Sequence, residues 1–123
     1  IIIIKKNDQL FINGIEAFNN QKFYDAHEFW EELWLEFKLQ DADLIQGLIQ
    51  LAVSYFHFYN KNLKGAKSMA KKCLKKFERY DFERGINILE LKTNILLLQK
   101  DYEDIMDEAY SKEIYIIKLR VVQ

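Results

Sequence analysis

Between Leu44 and Asn60 the chain carries no charged side chain. Its only polar groups there are Gln46, Gln50, Ser54, His57 and Asn60, besides the hydroxyls of Tyr55 and Tyr59. A helix over this run is apolar almost all round, and such a helix has to be enclosed by other elements. The run is shorter than the roughly 20 apolar residues a membrane-spanning helix needs, and it contains two glutamines and a histidine. It therefore reads as a buried core helix. The rest of the chain must supply its neighbours, which points to an all-α fold.

Those neighbours are legible from helical periodicity. A first helix is expected over about 8–20, with Asp8 as N-cap and Phe11, Ile15 and Phe18 on one face. Asn19-Asn20-Gln21 breaks it. A second helix covers about 22–39, with Phe23, His27, Trp30, Trp34 and Phe37 as its inner stripe. The central third helix starts near Asp41 to Asp43, whose charges suit a helix N-terminus, and ends near Asn60 to Asn62. A fourth runs over about 62–79, with Leu63, Ala66, Ala70, Cys73, Leu74 and Phe77 facing inward. Asn87 and Glu90 make a variant capping box for a fifth helix, whose Ile88, Leu91, Ile95, Leu98, Tyr102 and Ile105 recur at helical spacing. Short loops make successive helices antiparallel neighbours. The expectation is a compact bundle of about five helices with a central buried third helix, forming a single domain over 1–123. The terminal segments stay open. Residues 113–121 alternate like a strand that pairs with Ile1–Ile4, or the fifth helix continues through them.

Polar residues inside an apolar framework locate a candidate site. At about 100° per residue, Gln46, Gln50 and His57 share one narrow face of the central helix. Buried amides and imidazoles need partners. The acidic second helix offers His27 and Glu31, one turn apart on one side, with Glu28 turned further out. The constellation is thus His27, Glu31, Gln46, Gln50 and His57, walled by Trp30, Trp34 and Tyr55. One reading makes it a hydrogen-bonded network that fixes helix register in a non-catalytic structural or interaction protein. A second takes His27, Glu31 and His57 as metal ligands, since two His and one carboxylate is a ligand set for iron or zinc. A third makes the same residues acid–base catalysts. A fourth is a pocket for a small molecule or peptide lined by Trp30 and Trp34. No phosphate loop, Ser–His–Asp arrangement or zinc spacing accompanies them, and the pattern calls for no cofactor.

Net charge is −1, so bulk electrostatics do not favour nucleic acid or an anionic membrane. Eight basic residues lie between Lys61 and Arg79 against one acid, Glu78. Lysine-rich and nearly free of arginine, this segment reads as a solvated face balanced by the acidic second helix, rather than as a nucleic-acid or membrane surface. The partner stays open, with a homo-oligomer as one expectation. Cys73 is the only cysteine, falls on an inner stripe, and suits a reducing intracellular compartment. Ile1–Ile4 ahead of Lys5-Lys6 is too short for the apolar region of a signal peptide.

Three runs carry a resemblance: His27-Glu28-Phe29-Trp30-Glu31, Gln46-Gly47-Leu48-Ile49-Gln50, and the helix start Gly65-Ala66. In this order and at these separations they resemble the family catalogued as domain of unknown function 309, over a core of about 10–105. The resemblance implies a small all-α bundle of bacterial, archaeal or plastid type, in cytoplasm or plastid stroma. It implies no activity. It directs attention to His27, Glu28, Trp30, Glu31, Trp34, Gln46, Gly47, Gln50 and His57.

Overall fold

A computed structural model describes residues 5–105 and 113–122. Five helices and one two-stranded hairpin follow in chain order. They are α1 (Lys6–Asn19), α2 (Phe23–Glu36), α3 (Ala42–Tyr59), α4 (Leu63–Lys76), β1 (Phe82–Glu83), β2 (Ile86–Asn87) and α5 (Ile88–Glu103). The uncharged run becomes α3, and α3 packs on α2 on one side and α4 on the other. α1 closes against α2, and α5 against α4. Leu44, Ile45, Leu48, Leu51, Ala52 and Tyr55 of α3 are fully buried. The fold is thus an all-α bundle around its least polar helix, as expected.

Local chemistry sets the boundaries. α1 begins before Asp8: Lys5 is the N-cap and offers no side-chain cap, while Asp8 lies within the first turn. Gln21 at φ 60° and Lys61 at φ 61° make the turns that reverse the chain after α1 and α3. α2 stops at Glu36, short of the expected 39, because Phe37 turns extended. α4 stops at Lys76, short of 79. Asn62 caps α4 by accepting from the Gly65 N–H at 2.9 Å. Asn87 caps α5 by accepting from the Glu90 N–H at 3.0 Å, as its spacing with Glu90 implied.

The hairpin between α4 and α5 is not visible in the sequence pattern. It pairs Phe82 with Asn87 and Glu83 with Ile86. Its turn has Arg84 at φ 52° and Gly85 at φ 77°, the two positive dihedrals of a tight hairpin turn. Arg84 is held there by two bonds to Asp41, at 2.6 and 3.0 Å, and its guanidinium lies 5.1 Å from the centre of the Phe11 ring. Arg79 likewise grips Asp43 at 2.9 and 3.0 Å, with the Tyr80 hydroxyl donating to the same carboxylate. Both contacts tie the hairpin region to the start of α3.

The tail corrects one of the two expectations. α5 ends at Glu103, with Asp104 as C-cap, so it does not continue as a helix through 113–121. Residues 113–122 form no helix and join no strand among the described residues. Ile1–Ile4, the expected strand partner, lie outside the described residues. The segment packs on the bundle, with Ile114, Ile117 and Leu119 buried. No helix among the described residues is long and apolar enough to cross a membrane.

Candidate functional site

Phe23, Ala26, Trp30 and Leu33 form the buried stripe of α2. Trp30 is completely buried and donates its Nε1–H to the Phe11 carbonyl of α1 at 3.2 Å. His27 lies beside this stripe, with 23% of its side chain exposed. Its Nε2 lies 2.6 Å from Glu31 Oε2, one helical turn on, and its Nδ1 is 3.4 Å from Glu28 Oε1. Each ring nitrogen of His27 thus faces a carboxylate of its own helix. The two carboxylates are about half exposed, so the pair lies at the rim of the bundle and not in its core.

Trp34 departs from expectation. It is 38% exposed and does not belong to the inner stripe or to a buried wall. Tyr55 does lie in the core, stacked on Phe23 with ring centres 4.5 Å apart, but its hydroxyl turns to the chain's tail. It does not line the candidate site.

On α3, His57 faces α4. Its Nδ1 lies 3.3 Å from Asn62 Nδ2, on the residue that caps α4. A Cβ at Gly65 would come within 3.0 Å of His57 Cδ2, so the glycine lets the imidazole rest against the start of α4. Gly47 plays the same part lower down, where a Cβ would fall 2.6 Å from Phe77 Cε1. Ala66, next to Gly65, accepts through its carbonyl from the buried Ser54 hydroxyl at 2.7 Å, and Ser54 also meets the Tyr102 hydroxyl at 3.0 Å. Gln46 and Gln50 are half-buried, and Gln50 Oε1 is buried with no hydrogen-bond partner among the described residues.

The predicted constellation thus divides. His27, Glu28 and Glu31 come together on α2, while His57 joins Asn62. Among the described residues no hydrogen bond links Gln46, Gln50 or His57 to His27 or Glu31. A chain of neighbouring rings runs between the histidines: His27 to Tyr24 at 5.8 Å, Tyr24 to Phe56 at 5.6 Å, Phe56 to His57 at 6.3 Å. Among the described residues no group of three or more His, Cys, Asp or Glu side chains is placed to hold a metal ion. Cys73 is fully buried and bonded to the Ala70 carbonyl, and burial pushes its thiol pKa far up, so it does not serve as a nucleophile.

Two open clefts border this region. One, of about 350 Å³, lies between Lys22, Phe23, Tyr24, Phe56 and Tyr59. The other, of about 420 Å³, runs along the outside of α2 between Glu28, Phe29, Glu31, Glu32 and Leu35. The second belongs to a wholly acidic helix: Asp25, Glu28, Glu31, Glu32 and Glu36 are its charged residues, histidine aside. α4 is its opposite, with Lys64, Lys67, Lys71, Lys72, Lys75 and Lys76 and no acid. Sequence reasoning found both faces but missed the Asp41–Arg84 and Asp43–Arg79–Tyr80 contacts, which join residues about 40 positions apart and leave no periodic trace.

No curated protein matches this chain. The resemblance read from the three motifs is borne out over the helices that carry this region: residues 11–69, from α1 into α4, match the family described as a domain of unknown function (DUF309).

Proposed function

We propose that the protein is a non-catalytic structural and interaction module that assembles with copies of itself, the acidic face of α2 in one copy meeting the lysine face of α4 in the next. The observation that carries this reading is the segregation of charge. α2 carries only acids and α4 only lysines, and α3 lies between them. The ion pairs of these helices reach elsewhere, Glu36 to Lys6 and Lys67 to Glu103. The two faces are complementary but cannot meet within one molecule. Single exposed ion pairs contribute little, and a row of them along a helix of 14 residues acts as a network. Contacts of this kind steer association and are screened within about 8–10 Å at physiological salt.

Sedimentation across a salt series tests the reading. The wild type should associate at low salt and dissociate as salt rises. Asp25→Lys with Glu32→Lys should abolish association, and so should Lys71→Glu with Lys75→Glu. Mixing the two variants should restore a complex, because each then presents the face the other lacks. A wild-type chain that stays monomeric at low salt and high concentration rejects the proposal.

The His27–Glu31 contact supports a second reading, an acid–base or metal-dependent enzyme using His27, Glu31 and His57. It requires a ligand whose binding moves the His27 ring resonances and is weakened by Glu31→Gln. A screen in which no ligand or metal perturbs His27 favours the first reading.

A further inference from the structure

Residues 113–122 are held through their main chain by groups of the helical bundle. In an extended strand, alternate residues present their backbone N–H and C=O groups to the same side. Here, among the described residues, those groups meet mainly side chains of the bundle rather than a neighbouring strand. The Tyr55 hydroxyl donates to the Tyr115 carbonyl at 2.7 Å and accepts from the Ile117 N–H at 3.0 Å. The Asn19 amide closes on Leu119 from both sides, donating to its carbonyl at 2.8 Å and accepting from its N–H at 2.7 Å. Asp101 accepts from the Tyr115 N–H at 2.7 Å, and the Gly85 carbonyl from the Val122 N–H at 2.7 Å. Lys118 donates to the Asn19 carbonyl.

We propose that the groove formed by Asn19 of α1, Tyr55 of α3, Asp101 of α5 and the Arg84–Gly85 turn is a peptide-binding site, and that residues 113–122 are its resident occupant. The ligand class is an extended peptide with aliphatic side chains at three positions spaced as Ile114, Ile117 and Leu119. Three observations carry this. The groove reads main chain, which any extended peptide offers, and a side-chain amide or hydroxyl does this without the strand partner that β-addition requires. The occupant's specificity lies in three buried aliphatic residues, while Lys118 and Arg120 face solvent. Asn19 and Tyr55, which clamp Tyr115, Ile117 and Leu119, lie inside the segment matched by the family, whereas Asp101, the Arg84–Gly85 turn and the occupant lie outside it. The two clamping residues therefore belong to the matched helices, and the tail is one of the sequences the groove accepts. This inference is independent of the self-association proposed above.

A tethered occupant competes at an effective concentration in the millimolar range, so the test weakens the tail and supplies a replacement. In the full chain, Ile117→Asp places a charge at a fully buried position and should release the segment. A labelled peptide of the sequence of residues 113–122 should then bind saturably by fluorescence anisotropy. Wild-type chain should bind it at least about tenfold more weakly, because its own tail fills the groove. Adding Asn19→Ala to the Ile117→Asp chain should weaken binding about tenfold, the loss expected for a two-bond amide clamp. If Ile117→Asp does not fold, Ile114→Ala with Ile117→Ala serves in its place. A folded variant that binds no peptide up to about 1 mM overturns the proposal. So does binding that ignores Asn19→Ala, or equal binding of a scrambled peptide.

Discussion

Gly14→Ala is the sharpest single test of how α1 meets α2. A methyl group at position 14 would fall 2.5 Å from Trp30 Cδ1 and closer still to Nε1. Real carbons do not approach so closely, and the obstacle is a fully buried indole, not a flexible chain end. Trp30 also packs against Phe18 at 5.9 Å and donates to the Phe11 carbonyl, so it has no free direction of retreat. Either the indole leaves its position or α1 moves off α2. Overpacking of this kind costs about 1–3 kcal/mol, and losing the indole hydrogen bond adds about 1 kcal/mol. The expected destabilisation is about 3 kcal/mol, a fall in Tm of roughly 10 °C for a chain of this size. Urea unfolding followed by far-UV circular dichroism measures it without relying on the perturbed tryptophan. Trp30→Phe in the same chain should recover part of the loss, as a favourable coupling in a double-mutant cycle. A Gly14→Ala protein within about 0.5 kcal/mol of wild type, or a cycle with no coupling, refutes the close approach of the two helices.

The two tryptophans should behave differently: Trp30→Ala should cost about 3–5 kcal/mol in urea unfolding, and the half-exposed Trp34 under about 1 kcal/mol. The Arg79 guanidinium bonded to Asp43, with the Tyr80 hydroxyl beside it, holds the Asp43 carboxyl at about 2, below its ordinary 3.8. A depressed folded-state pKa gives stability that is complete above the unfolded value and lost as pH falls through the folded one, so Asp43→Asn should flatten the acid limb between about pH 4 and pH 2. Cys73 should react with a thiol reagent only as fast as the protein unfolds, since its thiol is buried and its pKa raised; rapid native-state labelling would contradict this. Arg84→Ala leaves the largely buried Asp41 without its partner and should cost about 2 kcal/mol in the same unfolding assay.

Helix content and order were readable in the sequence because each helix satisfies a local condition. The uncharged run has to be enclosed, the 3.6-residue stripes have to face it, and Asn87 with Glu90 three residues on marks a helix start. The boundaries of α2 and α4 were less legible, since Phe37 and Phe77 continue an apolar stripe past the point where the backbone leaves the helix. The site was half legible. His27 and Glu31 are one turn apart on a single helix, so their contact follows from helical geometry alone.

What needed the tertiary structure depends on how neighbouring helices are rotated about their axes. That rotation turned His57 toward Asn62 and Gly65 rather than toward His27, and it brought Trp34 to the surface. It also set Asn19 and Tyr55, 36 positions apart, on one groove where they grip a segment about 60 to 100 residues away. The sequence by itself determined that this chain forms helices around one apolar member, because hydrophobic periodicity acts within a few turns. The tertiary structure decided which polar groups meet, because a hydrogen bond between distant residues depends on packing that no local pattern records.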